Sequence, residues 1–214
     1  MKHPEASTDQ LQELIAQGAA GQASAYDQLL KQASDRFLRL TRKMLRAYPR
    51  LQRWEQTDDV FQTAAMRLHR SLAEVKPPTV AAFWGFAATQ IRRTLIDLAR
   101  HHFGPEGSAA HYHSDCGNNS SPEGASLHAR SAGTDGGPVS LEDWAEFHEA
   151  VDRLPPDERD VFRLAWYAEL PQKDIAESLN ISLPTVQRRW YAAKLHLFEL
   201  TQGKQPSNDL EPQA

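Results

Sequence analysis

Apolar residues recur along this chain at steps of three and four, with almost no alternating apolar–polar runs, and that period predicts an all-α protein. The spacing predicts a first helix from Thr8, as N-cap, to Gln17, stopped by Gly18. A second runs from near Gln22 to Tyr48, with room for a break around Lys31–Asp35; Leu29, Leu30, Phe37, Leu40, Met44 and Leu45 form its apolar face before Pro49 interrupts it. Thr57 is placed to cap a third helix, with Asp58 and Asp59 in the first turn where the helix dipole favours acids, and Phe61, Ala64, Ala65, Leu68 and Leu72 on one side. Lys76-Pro77-Pro78-Thr79 forces a loop, and a fourth helix follows over about Val80–His102 with Phe83, Phe86, Ala87, Ile91, Leu95 and Leu98 apolar.

The pattern then fades. Residues 104–139 are rich in Gly, Ser, Asn and His without periodicity, which reads as a flexible linker. Ser140 with Asp143 resembles a capping box opening a helix whose Leu141, Trp144, Phe147, Val151 and Leu154 face inward. Pro155-Pro156 ends that helix and begins another bearing Val161, Phe162, Ala165 and Trp166. The expected organisation is two small helical domains: an N-terminal helical bundle over 1–103 and a C-terminal domain over 140–201, joined by the 104–139 linker and followed by a disordered tail, 202–214.

Residues 171–197 read as a helix-turn-helix. Gln172–Leu179 is the first helix, with Ile175, Ala176 and Leu179 inward; Asn180 suits a left-handed turn, Ser182 an N-cap and Pro184 the first helical turn. Leu183, Val186, Trp190, Ala193 and Leu197 then form one buried stripe. At 100° per residue, Thr185, Gln187, Arg188 and Tyr191 point the other way, with Arg189 and Lys194 on the flanks. A helix that reads DNA needs this arrangement, with side chains near its N-terminus reaching base edges and flanking cations meeting phosphates. An ordinary amphipathic helix also shows a polar face to solvent, so the motif alone leaves both readings open.

Charge sharpens the picture. The chain of 214 residues carries 24 Lys and Arg against 28 Asp and Glu, net −4, which is not the balance of a protein that coats nucleic acid. The distribution is uneven: Arg36, Arg39, Arg42, Lys43, Arg46, Arg50 and Arg53 fall in one stretch without an acid, while acids dominate 141–160. The single cysteine, Cys116, excludes an internal disulfide and suits a reducing cytoplasm. The polar N-terminus predicts no secretory signal, and Val80–Ala88 is too short an apolar run to span a bilayer, so no membrane insertion and a cytoplasmic location are expected. His111, His113 and Cys116 are metal-ligating types, but a closed site needs four ligands on an ordered frame; no metal and no cofactor is expected. A paired ligand motif on a helix, a Gly-rich phosphate loop and a nucleophile motif are all missing, so no enzyme activity is expected.

In this order, the motifs resemble bacterial RNA polymerase sigma factors of the extracytoplasmic-function (ECF) type, over most of the chain. DDVFQTAAMRLHRSL at 58–72 looks like the acidic helix that grips the polymerase clamp; FWGFAATQIRRTLIDLAR at 83–100 looks like the helix that opens the minus-ten promoter element. LPPDERDVFRLAWYAELPQKDIAESLNIS with the basic helix after it looks like the reader of the minus-thirty-five element. The resemblance implies that Asp58, Asp59, Gln62 and Arg67 meet polymerase and that Lys76, Thr79, Arg92, Arg93 and Arg100 meet minus-ten DNA, the loop before the fourth helix holding a flipped base. It further implies that Thr185, Gln187, Arg188, Arg189, Tyr191 and Lys194 meet minus-thirty-five DNA. Implied partners are core RNA polymerase, promoter DNA and an anti-sigma factor, with a monomer when free. The chain departs from the family at Asn180 in place of a turn Gly, at Ala192 and Arg93, and at Phe86 in place of a common Trp. The alternative is a helix-turn-helix DNA-binding regulator that never joins polymerase; a dimeric reader of that kind would protect a palindrome.

Overall fold

The computed structural model describes residues 6–103 and 141–203, and among these every regular element is helical. The first unit comprises α1 (Thr8–Ala19), α2 (Ala23–Arg46), a 3₁₀ turn at Leu51–Arg53, α3 (Thr57–Val75) and α4 (Val80–Phe103). The second comprises α5 (Leu141–Arg153), α6 (Pro156–Phe162), a π-helical stretch at Arg163–Tyr167, α7 (Gln172–Ser178) and α8 (Leu183–Leu200). The 104–139 linker with its His111–Cys116 segment, the expected cap residue Ser140, the side chain of Leu141 and the tail beyond Gly203 lie outside the described residues.

Local chemistry moves several boundaries. Ser7, not Thr8, caps α1: its hydroxyl accepts from the Gln10 N–H at 3.3 Å while Gln10 Oε1 accepts from the Ser7 N–H at 3.0 Å, a complete capping box. Gly18 does not stop α1. The helix runs through it to Ala19; glycine is needed there because the Tyr26 ring lies 2.3 Å from where a Cβ would sit, and the chain turns at Gly21 with φ +99° instead. No break interrupts α2 at Lys31–Asp35. Gln56, not Thr57, is the N-cap residue of α3, and its side chain makes no capping bond, so Asp58 and Asp59 supply the favourable first-turn charge.

In the first unit α2 packs against α1 and α3, and α3 against α4. Val60, Ala64, Leu68 and Leu72 lie four apart on α3 and are all fully buried, in one core with Leu40 and Met44 of α2 and Phe83, Ile91 and Leu95 of α4. The second unit is built around aromatic rings. Phe162 stacks on Trp190 (5.5 Å, 18°) and on Trp166 (6.0 Å, 16°), with Trp144 and Phe147 closing the cluster. In the π stretch the Ala168 N–H reaches back to the Arg163 carbonyl at 3.1 Å, and just beyond it the chain turns at Glu169 with φ +52°.

Periodicity could not foresee that the two units share one core. Helix α4 lies against the π stretch, with α5 and α6 alongside. Gly85 makes this approach possible: Arg163 Nε lies 2.4 Å from the ideal position of a Cβ there. Around the seam, Arg39 pairs with Glu169 at 2.9 Å, Arg92 donates to the Ala145 carbonyl at 3.3 Å, and the Lys43 ammonium sits 4.1 Å from the Trp166 ring centre. Beneath it, buried His148 meets the Tyr167 hydroxyl at 2.7 Å. Burial first, and the Arg92 guanidinium second, hold the His148 imidazole down to about 3, so it is neutral.

Candidate nucleic-acid interface

The helix-turn-helix forms as its residues dictate. Asn180 adopts φ +51°, and the following Ile181 N–H bonds back to the Ala176 carbonyl at 3.0 Å, closing α7. Ser182 caps α8, accepting from the Thr185 N–H at 3.4 Å, and Pro184 sits in the first turn. Val186, Trp190, Ala193 and Leu197 are buried as the stripe predicts. Leu183 is not. It is 42% exposed, because the first residue of α8 stands over the turn, bordering a shallow groove with Lys173, Asn180 and Ile181.

On the outward face, Gln187 and Arg188 are exposed and Tyr191 is 68% exposed. These three are free to meet a ligand, and Arg188 and Gln187 are both able to bond base edges in a bidentate way. The other three predicted contacts are engaged. The Thr185 hydroxyl bonds Ser182 Oγ at 2.9 Å within the cap. Arg189 is ion-paired with Asp157 of α6, and the Lys194 ammonium lies 5.8 Å from the Trp190 ring centre.

Around α4 the predicted residues divide in the same way. Arg93 and Arg100, two helical turns apart, share an exposed face, whereas Arg92 is half-buried and turned into the seam. Lys76 is exposed and ends α3 in a left-handed conformation, φ +44°. Thr79 Oγ1 accepts from the Ala82 N–H at 3.1 Å, so its hydroxyl caps α4. The four-residue loop between α3 and α4 is also tied to α1: Gln12 Nε2 donates to the Pro78 carbonyl and Gln12 Oε1 accepts from the Val80 N–H, each at 3.1 Å.

On α3, Asp58, Asp59 and Gln62 are exposed. Gln62 borders a shallow, largely apolar groove with Leu30, Phe61, Ala65, Met66, His69 and Arg70. Arg67 instead pairs with Asp97 of α4 at 2.6 Å and braces the two helices. Sequence reasoning passed over Met66, which is 48% exposed in the groove; its signal was an apolar side chain lying off the buried stripe of α3. Gln12 gave no local signal, since its partners lie more than sixty residues away. Among the described residues, no group of three or more His, Cys, Asp or Glu side chains is placed to hold a metal, and no helix is long and apolar enough to cross a membrane.

Residues 34–102 match the family model of sigma-70 region 2, and residues 144–197 match that of sigma-70 region 4. No curated protein matches the chain. The first match spans α3, the loop and α4, which carry the groove and the Arg93–Arg100 face; the second spans the helix-turn-helix with its Gln187–Arg188–Tyr191 face. With both regions in this order, the chain belongs to the sigma-70 family of promoter-recognising transcription factors.

Proposed function

We propose that this chain is a sigma factor of the ECF type, which joins core RNA polymerase in the cytoplasm and directs it to promoters carrying its own minus-ten and minus-thirty-five elements. The observation that supports this best is the outward face of α8, where Gln187, Arg188 and Tyr191 stand free on a helix capped for approach to DNA. In this reading Asp58, Asp59, Gln62 and Met66 meet the polymerase clamp, the apolar groove supplying area and the acids supplying orientation. Arg93 and Arg100 follow promoter phosphates, and the α3–α4 loop holds the extruded minus-ten base. Arg67 serves as a brace between helices, not as a contact.

Arg92 donates to Ala145 of the C-terminal unit, which supports reading this closed arrangement as the resting one. Docking on polymerase separates the units, with residues 104–139 as the tether, and Arg92 then joins the phosphate-facing cations. Two modest DNA contacts held by one tether act together through effective concentration. The net charge of −4 suits a factor that binds promoters poorly until polymerase presents it. An anti-sigma factor that gripped both units would hold this resting form.

The test is in vitro transcription of genomic fragments with core polymerase, with and without the purified chain. Start sites that appear only with the chain, and vanish with Arg188→Ala, support the reading. Transcript patterns identical to those of core alone would remove it.

A further inference from the structure

We infer that Gln12 of α1, a helix outside the region-2 match, positions the α3–α4 loop and thereby sets how well the factor captures and discriminates a minus-ten base; the inference rests on the sigma reading of that loop. The loop is short of means to order itself. Pro77 and Pro78 carry no N–H, so neither can bond across the turn, and Lys76 enters it in a left-handed conformation. Backbone bonds hold only its ends, Lys76 N–H to the Leu72 carbonyl and Phe83 N–H to the Thr79 carbonyl, and Pro77 is buried; across its exit, order comes from two side chains. Thr79 caps the Ala82 N–H, and the primary amide of Gln12 spans the loop's exit, bonding the Pro78 carbonyl with its N–H and the Val80 N–H with its oxygen. One amide thus fixes the peptide units on either side of Thr79.

Helix α1 can serve as a buttress because it is anchored independently. Its capping box fixes the N-terminus, and Leu11, Leu14 and Ile15 are buried against the bundle on either side of Gln12. Extruding a base from the stack costs free energy that only a ready-made pocket offsets, and a loop that must first be ordered offsets less of it. Rigid support from behind a binding loop therefore appears as tighter capture and sharper base choice, not as a new contact.

The test uses holoenzyme made with the full chain and either Gln12→Met, which keeps the side chain's length but removes both bonds, or Gln12→Glu, which keeps the acceptor for Val80 and loses the donor to Pro78. The readouts are permanganate reactivity of the melted minus-ten strand and competition among promoters substituted at each minus-ten position; affinity for core polymerase and helical content serve as controls. Loss of two neutral hydrogen bonds predicts an open complex about tenfold weaker for Gln12→Met. Preference among minus-ten bases falls with it, Gln12→Glu lies between, and core affinity and helicity stay unchanged. Discrimination retained in a folded Gln12→Met factor, or a loss equal at all promoters including those altered only at minus-thirty-five, would overturn the inference and leave the sigma reading intact. If the wild-type chain gives no start-site-specific transcript, both fall together.

Discussion

Gly85 offers the sharpest test of the seam between the two units. Any side chain there places a Cβ 2.4 Å from Arg163 Nε, 2.6 Å from Cζ and 3.0 Å from Cδ, so Arg163 must move. Arg163 is only 16% exposed and is paired with Asp152 at 2.8 Å, though Asp152 is half exposed; discounted for that exposure, the pair is worth about 1 kcal/mol. Gly85→Ala gains about 1 kcal/mol of helix propensity in α4, so the two effects nearly cancel and overall stability hardly changes. Gly85→Leu is different. Overpacking costs roughly 1–3 kcal/mol, and because the opposite side of α4 is fixed by the α3 core, the strain falls on the seam. At about 2 kcal/mol the closed-to-open ratio falls roughly thirtyfold. The assay is energy transfer between dyes on cysteines placed at exposed Arg70 and Glu199, in a Cys116→Ser background. Gly85→Leu is expected to lower transfer efficiency in the free chain with helicity unchanged, and to raise its affinity for promoter duplex as Arg92 is released. Adding Arg163→Ala to Gly85→Ala is expected to show a favourable coupling of about 0.5–3 kcal/mol in a double-mutant cycle. Wild-type transfer efficiency in a folded Gly85→Leu chain would refute the reasoning.

Acid should loosen the protein through His148. Held at about 3 when folded and near 6.5 when unfolded, the imidazole binds its proton in the unfolded state first, so stability drops by up to about 1.4 kcal/mol per unit as pH falls from 6.5 towards 3. His148→Gln should be less stable at pH 7.5 but show a flatter melting temperature against pH below 6.5; an unchanged slope would show that another group is responsible. In the recognition helix, Arg188→Ala should cost about 1–3 kcal/mol at one base position and relax preference there, as read by competition binding of holoenzyme to substituted promoters. Arg189→Ala should change DNA binding less and destabilise the C-terminal unit instead, because its partner is Asp157; equal DNA defects for the two variants would contradict this division. Met66→Lys on the α3 groove should weaken assembly with core polymerase while leaving the melting temperature within a few degrees, since nearly half of Met66 is exposed, and intact assembly would remove the groove from the docking surface.

Much of this protein can be read without coordinates because helices are local. A 3.6-residue period, a serine before Pro184 and an asparagine at the turn each act within one or two helical turns, and α8, α7 and the Val60–Leu72 stripe appear as those residues require. The outward positions of Gln187, Arg188 and Tyr191 follow from the same geometry, as do the exposed Asp58, Asp59 and Gln62. Tertiary structure decided which candidate cations are available. Arg67, Arg189 and Arg92 look no different from Arg93, Arg188 and Arg100 along the chain, yet each is taken by an acceptor 30, 32 or 53 residues away. It likewise decided that Gly18 continues a helix against Tyr26, that Gly85 admits Arg163, and that Gln12 ties down a loop in another part of the bundle. The physical reason is range: propensity, capping and amphipathic period are fixed by neighbours along the chain, whereas charge pairing and close approach depend on which surfaces the folded core brings together.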